Sequence, residues 1–338
     1  MKDIRNYSLL GHNTFGIDAR CRRFVEYTTV EEAREVAVSL NDADEPLLLL
    51  GGGSNLLLTK DYPGTVLHSA IRGITIVADD GDKVLLKCGS GEVFDDVVAY
   101  AVEHGFHGAE NLSLIPGEVG ASAVQNIGAY GAEAKDIISE VEAVEIATGN
   151  VVVLSNADCG YGYRQSRFKQ EWHNKYLITH VVYALSRTFV PALEYGNILS
   201  SLATKGISKP TATELREVII EIRKAKLPDP EEQGNAGSFF MNPIVGKAKY
   251  DELAVLYPGM PHYTIDAAHV KIPAGWMIDQ CGWKGKCLGR AGVHDKQALV
   301  LVNRGGATGA EVVKLCQTIQ QDVKNRFGID IYPEVNIF

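Results

Sequence analysis

The stretch Pro46-Leu-Leu-Leu-Leu-Gly-Gly-Gly-Ser-Asn55 joins an apolar run directly to three consecutive glycines. A short apolar run that ends at glycine predicts a buried strand. Because consecutive glycines are costly in backbone entropy, they indicate a turn whose backbone must approach something closely. A loop of this kind after a strand presents several N–H groups, a nest suited to phosphate oxygens. The Gly-Lys-Ser/Thr of a P-loop is missing, and a plain glycine-rich turn is the alternative.

A second glycine-rich block, residues 115–131, follows further along the chain. Its glycines at 117, 120, 128 and 131 stand among small and amide side chains with little charge, which is not typical of a surface loop. We interpret it as backbone packed flat against a large planar ligand, with amides bonding the ligand's polar edge. Between the two blocks, Gly89-Ser-Gly91 resembles the start of a Rossmann fingerprint. Phe94 replaces the third glycine, so we discount that fold.

Residues 234–243, read as Gly-Asn-Ala-Gly-Ser-Phe-Phe-Met-Asn-Pro, place Ser238 directly after small residues. A serine in this setting serves either as a nucleophile or as a proton donor in a tight pocket. The nucleophile elbow Gly-x-Ser-x-Gly is absent because Phe240 occupies its last position. A turn serine that bonds local backbone is the alternative, and this stretch taken alone favours it.

Two other segments carry charge among aromatic or apolar neighbours. Tyr161-Gly-Tyr-Arg-Gln-Ser-Arg-Phe168 combines two arginines with two tyrosines, a set that suits recognition of a carboxylate or a phosphate. The alternative is a surface turn, because most single arginines in proteins form only ordinary surface ion pairs. Near the end of the chain, Glu334 lies within an apolar strand-like run. Its carboxylate is either exposed on a sheet edge or held in place for a function.

Composition and length bound the remaining possibilities. The 338 residues are 46% hydrophobic and 22% charged, as in an ordinary globular protein of two or three domains. Lys226-Leu-Pro-Asp-Pro230 predicts a domain boundary. The net charge of −9 argues against a general nucleic-acid or membrane-surface role. Neither a signal-peptide core after Met1 nor a bilayer-spanning stretch is found, so we expect a cytoplasmic protein.

The cysteines and histidines predict no metal site. The six cysteines are scattered without a Cys-x-x-Cys, a pattern that favours reduced thiols over a disulfide framework or a zinc site. His104 and His107 stand three apart with no further ligand cluster, so we interpret them as solvated residues at a helix end. Apolar periodicity predicts helices from Thr29 to Leu40, with Thr29 as N-cap, and from Gly309 to Phe327.

Taken together, these segments resemble the UDP-N-acetylenolpyruvoylglucosamine reductase family, flavoproteins that complete UDP-N-acetylmuramate for peptidoglycan synthesis. The resemblance spans nearly the whole chain, and Leu193-Glu-Tyr-Gly196 is similar to the extra tyrosine loop of the longer, type I branch. Two small departures are Gly52, where glutamate is common, and Met241, at a variable position. The matching segments are Asn13-Thr-Phe-Gly16, Gly51-Gly-Gly-Ser-Asn-Leu56, Ile115-Pro-Gly117, Gln125-Asn-Ile-Gly-Ala-Tyr-Gly131, Gly162-Tyr-Arg-Gln-Ser166, Lys226-Leu-Pro-Asp-Pro230, Asn235-Ala-Gly-Ser-Phe-Phe-Met-Asn-Pro243, Ala274-Gly-Trp-Met-Ile-Asp-Gln280 and Pro333-Glu-Val335.

The resemblance implies an α+β fold with vanillyl-alcohol-oxidase/PCMH-type FAD-binding domains and a C-terminal α/β substrate-binding domain. The implied divisions are FAD-binding subdomains at 1–70 and 71–225 and a substrate domain at 226–328. The C-terminal strand 329–338 would join the second subdomain. FAD would lie between the two subdomains, and the third domain would close over a nucleotide sugar.

The resemblance also implies roles for individual residues. Arg164, Ser238 and Glu334 would be catalytic: Arg164 would meet charge on the substrate carboxylate, Glu334 would share a proton with it, and Ser238 would protonate the carbanionic centre as a general acid. The implied FAD contacts are Gly51, Gly52, Gly53, Ser54, Asn55, Leu56, Ile115, Pro116, Gly117, Gly120, Ala121, Gln125, Asn126, Gly128, Ala129, Tyr130 and Gly131. The implied substrate contacts are Tyr163, Tyr195, Lys226, Asn242 and Gln297.

The implied activity is NADPH-dependent reduction, through FAD, of the enolpyruvyl nucleotide sugar to UDP-N-acetylmuramate. We expect a monomer whose partner is a small nucleotide-sugar substrate, with no nucleic-acid or membrane partner. Two rival functions are a flavin-linked oxidase of another small substrate and a non-enzymatic nucleotide-binding protein. Neither rival needs the set Arg164, Ser238 and Glu334.

Overall fold

The chain passes back and forth between two units in a computed structural model that describes all residues from 1 to 338. The first unit comprises Met1–Tyr7, Cys21–Gly52 and Pro63–Ala225. The second comprises Ser8–Arg20, Gly53–Tyr62 and Lys226–Phe338. The finer division into three domains stays a prediction.

The regular elements are mostly short strands and amphipathic helices. The strands are β1 (Lys2–Ser8), β2 (Arg20–Tyr27), β3 (Leu47–Leu50), β4 (Leu56–Leu57), β5 (Tyr62–Ser69), β6 (Ile74–Asp79), β7 (Lys83–Gly89), β8 (Gly128–Ala129), β9 (Ala132–Glu133), β10 (Ile138–Glu145), β11 (Val151–Ser155), β12 (Tyr176–Ser186), β13 (Asn235–Ser238), β14 (Ile244–Gly246), β15 (Tyr263–Thr264), β16 (His269–Lys271), β17 (Cys287–Leu288), β18 (Ala291–Val293), β19 (Val300–Asn303) and β20 (Asn336–Ile337). The helices are α1 (Val30–Ser39), α2 (Phe94–Glu103), α3 (Val119–Gln125), α4 (Ile198–Thr204), α5 (Ala212–Lys226), α6 (Lys247–Leu256), α7 (Ala274–Gln280) and α8 (Gly309–Phe327). None of the helices is both long enough and apolar enough to cross a membrane.

The first unit contains a four-stranded sheet in the order β1-β2-β5-β3, in which β3 and β5 run parallel. The predicted buried strand is confirmed as β3, and it ends at the residue before Gly51. A five-stranded antiparallel sheet follows in the order β11-β10-β12-β7-β6. Helix α1 packs its buried side chains Ala33, Val36 and Ala37 into a core shared with residues of both sheets. Thr29 caps this helix as predicted, accepting the N–H of Glu32 at 3.1 Å.

The second unit is built on a small antiparallel sheet, β13-β19-β18-β17, with the 19-residue helix α8. The bounds of α8 match the prediction, because its apolar residues recur at helical spacing from Val312 to Phe327 and bury one face. A capping box between Thr308 and Glu311 starts it, and Gly328 ends it in the left-handed conformation.

Two features are not apparent from the sequence. The C-terminal strand β20 pairs with β4 in parallel, Asn336 opposite Leu56, and both strands lie in the second unit. The assignment of residues 329–338 to the second FAD-binding subdomain stays a prediction. Strands of two residues leave no local pattern, and their pairing is fixed by distant contacts. The block 115–131 also contains the helix α3, whose small residues show no polar face and which ends at Asn126 with φ 44°.

Candidate active site

The glycine loop after β3 packs closely against the segment 117–121. A Cβ added to Gly51 would lie 3.2 Å from the Cβ of Ala121, and one added to Gly52 would lie 3.3 Å from the Cα of Gly117. Side chains at these two positions would therefore push the loop away from the other segment. Gly51 and Gly52 are thus brought against the second glycine-rich stretch within the first unit, where their bare backbone faces Gly117 and the side chains of Glu118 and Ala121.

The rest of the loop is fixed within the second unit. Gly53 has φ +64°, and a Cβ there would lie 2.1 Å from the carbonyl oxygen of His12, so only glycine fits. The carbonyl of Asn55 accepts the backbone N–H of Asn336 at 3.2 Å, and Leu56 lies in β4. Ser54 lies between these fixed positions.

Within the block 115–131, buried side chains hold the backbone in place. Gly120 donates its N–H to the carbonyl of Ser90 at 2.8 Å, and an added Cβ would lie 3.0 Å from the Cβ of Ser90. The buried side chain of Asn126 donates to the carbonyl of Gly162 at 2.8 Å and accepts the N–H of Lys135 at 2.9 Å. Its amide is thus committed to the protein chain, and its predicted contact with FAD would have to come from its backbone.

Arg164 lies against the hairpin that β8 and β9 form. Its guanidinium donates to the carbonyls of Gly128 and, at 3.3 Å, Asn126. It lies 3.5 Å from a carboxylate oxygen of Glu133 that accepts no hydrogen bond, and 5.2 Å from the ring centroid of Tyr163. Arg164 has φ +54°, a conformation that is strained for a residue with a side chain and that occurs at functional sites. The guanidinium is therefore held in one place beside the predicted flavin-lining hairpin.

Ser238 ends the strand β13, at a bulge opposite β19. The side chain of Asn235 accepts the N–H of Gly237 at 2.8 Å, and Gly237 turns the chain with φ +67°. Phe239 and Phe240, both fully buried, anchor the chain after it with ring centroids 5.3 Å apart. The half-buried hydroxyl of Ser238 makes no hydrogen bond within the protein, whereas a serine that stabilises a turn would do so.

Glu334 is brought next to Ser238 by the backbone. Its N–H donates to the carbonyl of Phe239 at 2.8 Å, and Phe240 forms a bridge with Pro333. The side chain of Asn55 donates to the carbonyl of Glu334 at 3.4 Å. The backbone segments that carry Ser238 and Glu334 are thus neighbours in the second unit, although the 95 residues 239–333 lie between them in sequence.

The predicted substrate contacts are distributed over both units. In the first unit, Tyr195 is 46% exposed and lies 3.3 Å from where a Cβ on Gly131 would stand. Its loop is tied to the β8–β9 hairpin by Asn111, whose side chain donates to the carbonyls of Tyr130 and Ala192 at 2.9 and 3.0 Å. The sequence did not predict this role of Asn111. Its position beside the predicted ligand-lining block was the only feature that could have indicated it.

The remaining three substrate candidates lie in the second unit. Asn242 accepts the N–H of Ala274 at 2.9 Å, at the first residue of α7. The side-chain oxygen of Gln297 lies 3.2 Å from where a Cβ on Gly275 would stand. The structure therefore brings Asn242 and Gln297 to the same helix end. Lys226 is exposed at the last residue of α5.

Known proteins match this chain over its whole length. Residues 21–155 match the family described as FAD binding domain, and residues 229–338 match the family described as UDP-N-acetylenolpyruvoylglucosamine reductase, C-terminal domain. A UDP-N-acetylenolpyruvoylglucosamine reductase of Bacteroides fragilis is 54% identical over 333 residues, covering 98% of this chain and 99% of its own length. A protein of the same name from Burkholderia multivorans is 45% identical, covering 98% of this chain and 95% of its own length.

A solved structure confirms the fold. The UDP-N-acetylenolpyruvylglucosamine reductase of Thermus caldophilus superposes with a TM-score of 0.69 at 22% identity, covering 100% of this chain and 98% of its own. The predicted fold, an α+β chain with an FAD-binding part and a C-terminal domain of its own, is confirmed. With the identity to full-length relatives, these matches show that the chain belongs to the UDP-N-acetylenolpyruvoylglucosamine reductase family.

Proposed function

We propose that this enzyme reduces the enolpyruvyl group of UDP-N-acetylenolpyruvoylglucosamine to give UDP-N-acetylmuramate, with NADPH as the reductant and FAD as the cofactor. The observation that carries the proposal is the joint placement of Ser238 and Glu334. A serine with a free hydroxyl precedes the carbonyl that binds the backbone of Glu334. The relatives are named as reductases, so a flavin-linked oxidase is not favoured.

The first unit fits FAD in the region where the diphosphate is expected. Gly51 and Gly52 present bare backbone packed beside Gly117, Glu118 and Ala121, where an added Cβ would crowd its neighbours. Bare N–H groups of this kind suit phosphate oxygens. Residues 51–56 would hold the diphosphate and residues 115–131 the ring system. When bound, FAD would pass the hydride of NADPH to the enolpyruvyl double bond.

The chain's own residues supply the charge and the proton. Addition of a hydride to one carbon of the double bond leaves negative charge on the other carbon and on its carboxylate. We infer that Arg164, fixed by two backbone carbonyls, offers its guanidinium to that carboxylate. Ser238 gives its hydroxyl proton to the carbanionic carbon, which completes the saturated product. Glu334 shares a proton with the substrate carboxylate and so limits repulsion.

The nucleotide part of the substrate needs groups that bind a diphosphate and a sugar. We propose that Tyr195 and Lys226 bind the diphosphate, with Tyr163, Asn242 and Gln297 as further contacts. We also propose that the chain is of the type I branch, because Tyr195 stands in an extra loop that α4 follows. The enzyme is proposed to act as a monomer in the cytoplasm, with no nucleic-acid or membrane partner. Sedimentation of the FAD-loaded protein tests the monomer.

Visible spectra of the purified protein test the function. We expect a yellow protein whose flavin absorbance is bleached by NADPH and returns when the enolpyruvyl nucleotide is added without oxygen. Acid precipitation should release the flavin into the supernatant, because FAD is expected to be held without a covalent bond. Return of the colour with oxygen alone, and not with the nucleotide, would indicate an oxidase.

A further inference from the structure

A buried chain of charged groups, which the proposed mechanism does not use, leads to the glycine loop. His68 on β5 stands opposite Leu50, the residue before Gly51, in the parallel β3–β5 pair. Its Nδ1 lies 3.0 Å from Glu26 Oε2, and its Nε2 lies 3.1 Å from Glu118 Oε1. Glu26 in turn pairs with Lys2 Nζ at 2.5 Å. The chain therefore runs from the exposed Lys2 to Glu118.

Glu118 lies against the glycine loop itself. A Cβ added to Gly51 would lie 3.4 Å from Glu118 Oε2, and one added to Gly52 would lie 3.8 Å from Glu118 Cγ. The two glycines thus leave the room that this side chain occupies. Glu118 is the only charged residue between positions 115 and 131, in the block that packs on the loop.

A carboxylate beside a diphosphate is repulsive unless a positive charge balances it. The side chains of His68, Glu26 and Glu118 are only 9%, 12% and 13% exposed, so their charges are weakly screened. When His68 is protonated, the positive charges of Lys2 and His68 balance the carboxylates of Glu26 and Glu118. With His68 neutral, one negative charge remains, next to the loop that would hold the cofactor's phosphates.

We propose that Glu118 is a positioning residue for the glycine loop, and that protonated His68 both holds and neutralises its carboxylate, so that the affinity for FAD falls when His68 loses its proton. This inference rests on the proposed FAD-dependent function and concerns only how tightly the cofactor is bound.

The surroundings of His68 set the direction of the pH dependence. Burial lowers the pKa of His68, but the hydrogen bonds and charges of Glu118 and then Glu26 outweigh burial and raise it above 6.5. The pKa of Glu26 is lowered by Lys2 and His68 although burial opposes this. Burial, together with the charge of Glu118, raises the pKa of Tyr27, so that phenol stays neutral. Because folding raises the pKa of His68, its protonated form stabilises the folded arrangement fully below pH 6.5. This stabilisation is lost as the pH rises through the raised pKa.

Titration of FAD into the full-length chain after removal of bound flavin tests the proposal. Quenching of flavin fluorescence gives the dissociation constant at pH values from about 6 to about 9, on both sides of the ordinary pKa of histidine. For the wild type we expect this constant to rise by roughly threefold to tenfold over that range. His68→Gln should bind weakly at every pH. His68→Gln combined with Glu118→Gln should recover most of the affinity, because the unbalanced carboxylate is gone.

His180→Gln is the matched control. His180 is a half-buried histidine of the same unit, 3.4 Å from a carboxylate oxygen of Glu142, on the five-stranded sheet. This variant should keep the wild-type pH profile. As a second measurement, the imidazole of His68 followed by NMR should titrate at a lower pH in Glu118→Gln than in the wild type.

Three results would overturn the inference: a wild-type affinity that does not change with pH, a steep profile that survives His68→Gln, or an imidazole titration unmoved by Glu118→Gln. Absence of any FAD binding by the wild type at any pH is a different result, because it would overturn the proposed function as well.

Discussion

Ser238 combines a free hydroxyl with a rigid backbone, and this combination predicts a selective loss of activity on substitution. Ser238→Ala should still bind FAD, and NADPH should reduce that FAD at a near-normal rate, since this half-reaction needs no proton from the serine. Reoxidation by the enolpyruvyl nucleotide should slow by roughly a hundredfold to ten-thousandfold, the contribution of a general acid. Ser238→Cys should recover part of the loss. Stopped-flow absorbance separates the two half-reactions, and an equal loss in both would make Ser238 a structural residue.

Substitution of Gly53 by alanine is predicted to lower the stability of the protein, and the same substitution at Gly206 serves as the control. Gly53 and Gly206 share a left-handed backbone, with φ +64° and +73°, but a Cβ on Gly53 would meet the His12 carbonyl whereas one on Gly206 would meet open space. Gly206→Ala should lower the free energy of unfolding by about 1–2 kcal/mol through backbone strain alone. Gly53→Ala should lower it by more than about 3 kcal/mol, because the clash adds to the strain. Denaturant unfolding of the flavin-free proteins measures both, and equal losses would contradict the close packing at Gly53.

Single residues also mark the limit of what sequence patterns reveal. Gly51–Gly53 and Ser238 stand in runs of small residues, and such runs have few structural explanations, so they could be located from the sequence. His68, Glu26 and Glu118 come from three separate segments: the pairing of β2 with β5 brings Glu26 to His68, and the packing of the segment before α3 brings Glu118 to the other side of the ring. A cluster formed by contacts between distant segments leaves no periodicity or local motif in the sequence from which it could be predicted.

At the scale of elements, the loop that carries Tyr195 predicts a change in substrate binding. Its ring packs at Gly131, so Tyr195→Phe should keep the loop in place and remove only the hydroxyl. The Michaelis constant for the nucleotide sugar should rise by about tenfold, the worth of one hydrogen bond to a charged group, while the unfolding temperature stays unchanged. Tyr100→Phe, on α2 with its ring stacked on His104, is the control. Steady-state kinetics of both variants decide the matter, and an unchanged constant for Tyr195→Phe would leave it a surface tyrosine.

The start of helix α8 predicts a pH-dependent contribution to stability. Hydrogen bonds from the Thr308 backbone and from Arg290 lower the pKa of Glu311 to about 2 from its ordinary 4.5. Because folding lowers this pKa, the contribution is present above pH 4.5 and is lost as the pH falls toward 2. Glu311→Gln should therefore be less stable than the wild type at about pH 7 and nearly equal to it close to pH 2. Thermal unfolding at several pH values measures this, and a constant difference would contradict it.

Long amphipathic elements were predictable, and short ones were not. α1 and α8 bury a regular apolar stripe and begin with a capping threonine, so both could be identified from the sequence. α3 has seven residues and no polar face, and β4 and β20 have two residues each. Elements of this size are stabilised by their neighbours rather than by their own propensity.

At the scale of the whole molecule, the second unit predicts that its C-terminal segment does not fold alone. Residues 226–338 depend on two earlier segments: Asn235 donates its N–H to Thr14 at 3.0 Å, and the side chain of Asn303 donates to the carbonyl of Phe15 at 3.0 Å. β20 also loses its partner β4 in such a fragment. We expect the fragment 226–338 to show no cooperative unfolding and poorly dispersed NMR amide signals, with the full chain as control. A cooperative transition would contradict the dependence on those segments.

The parallel pairing of β4 with β20 has a consequence for synthesis on the ribosome. Thr59 donates its hydroxyl to the carbonyl of Phe338, a partner 279 residues later in the chain. At roughly 5–20 residues per second, the early segment waits about 15–55 s for that partner to be translated. The exposed backbone edge of residues 56–57 meanwhile emerges from the ribosome without its complement. Chains released early by premature termination would keep that edge open, which makes them natural clients for chaperones and proteases.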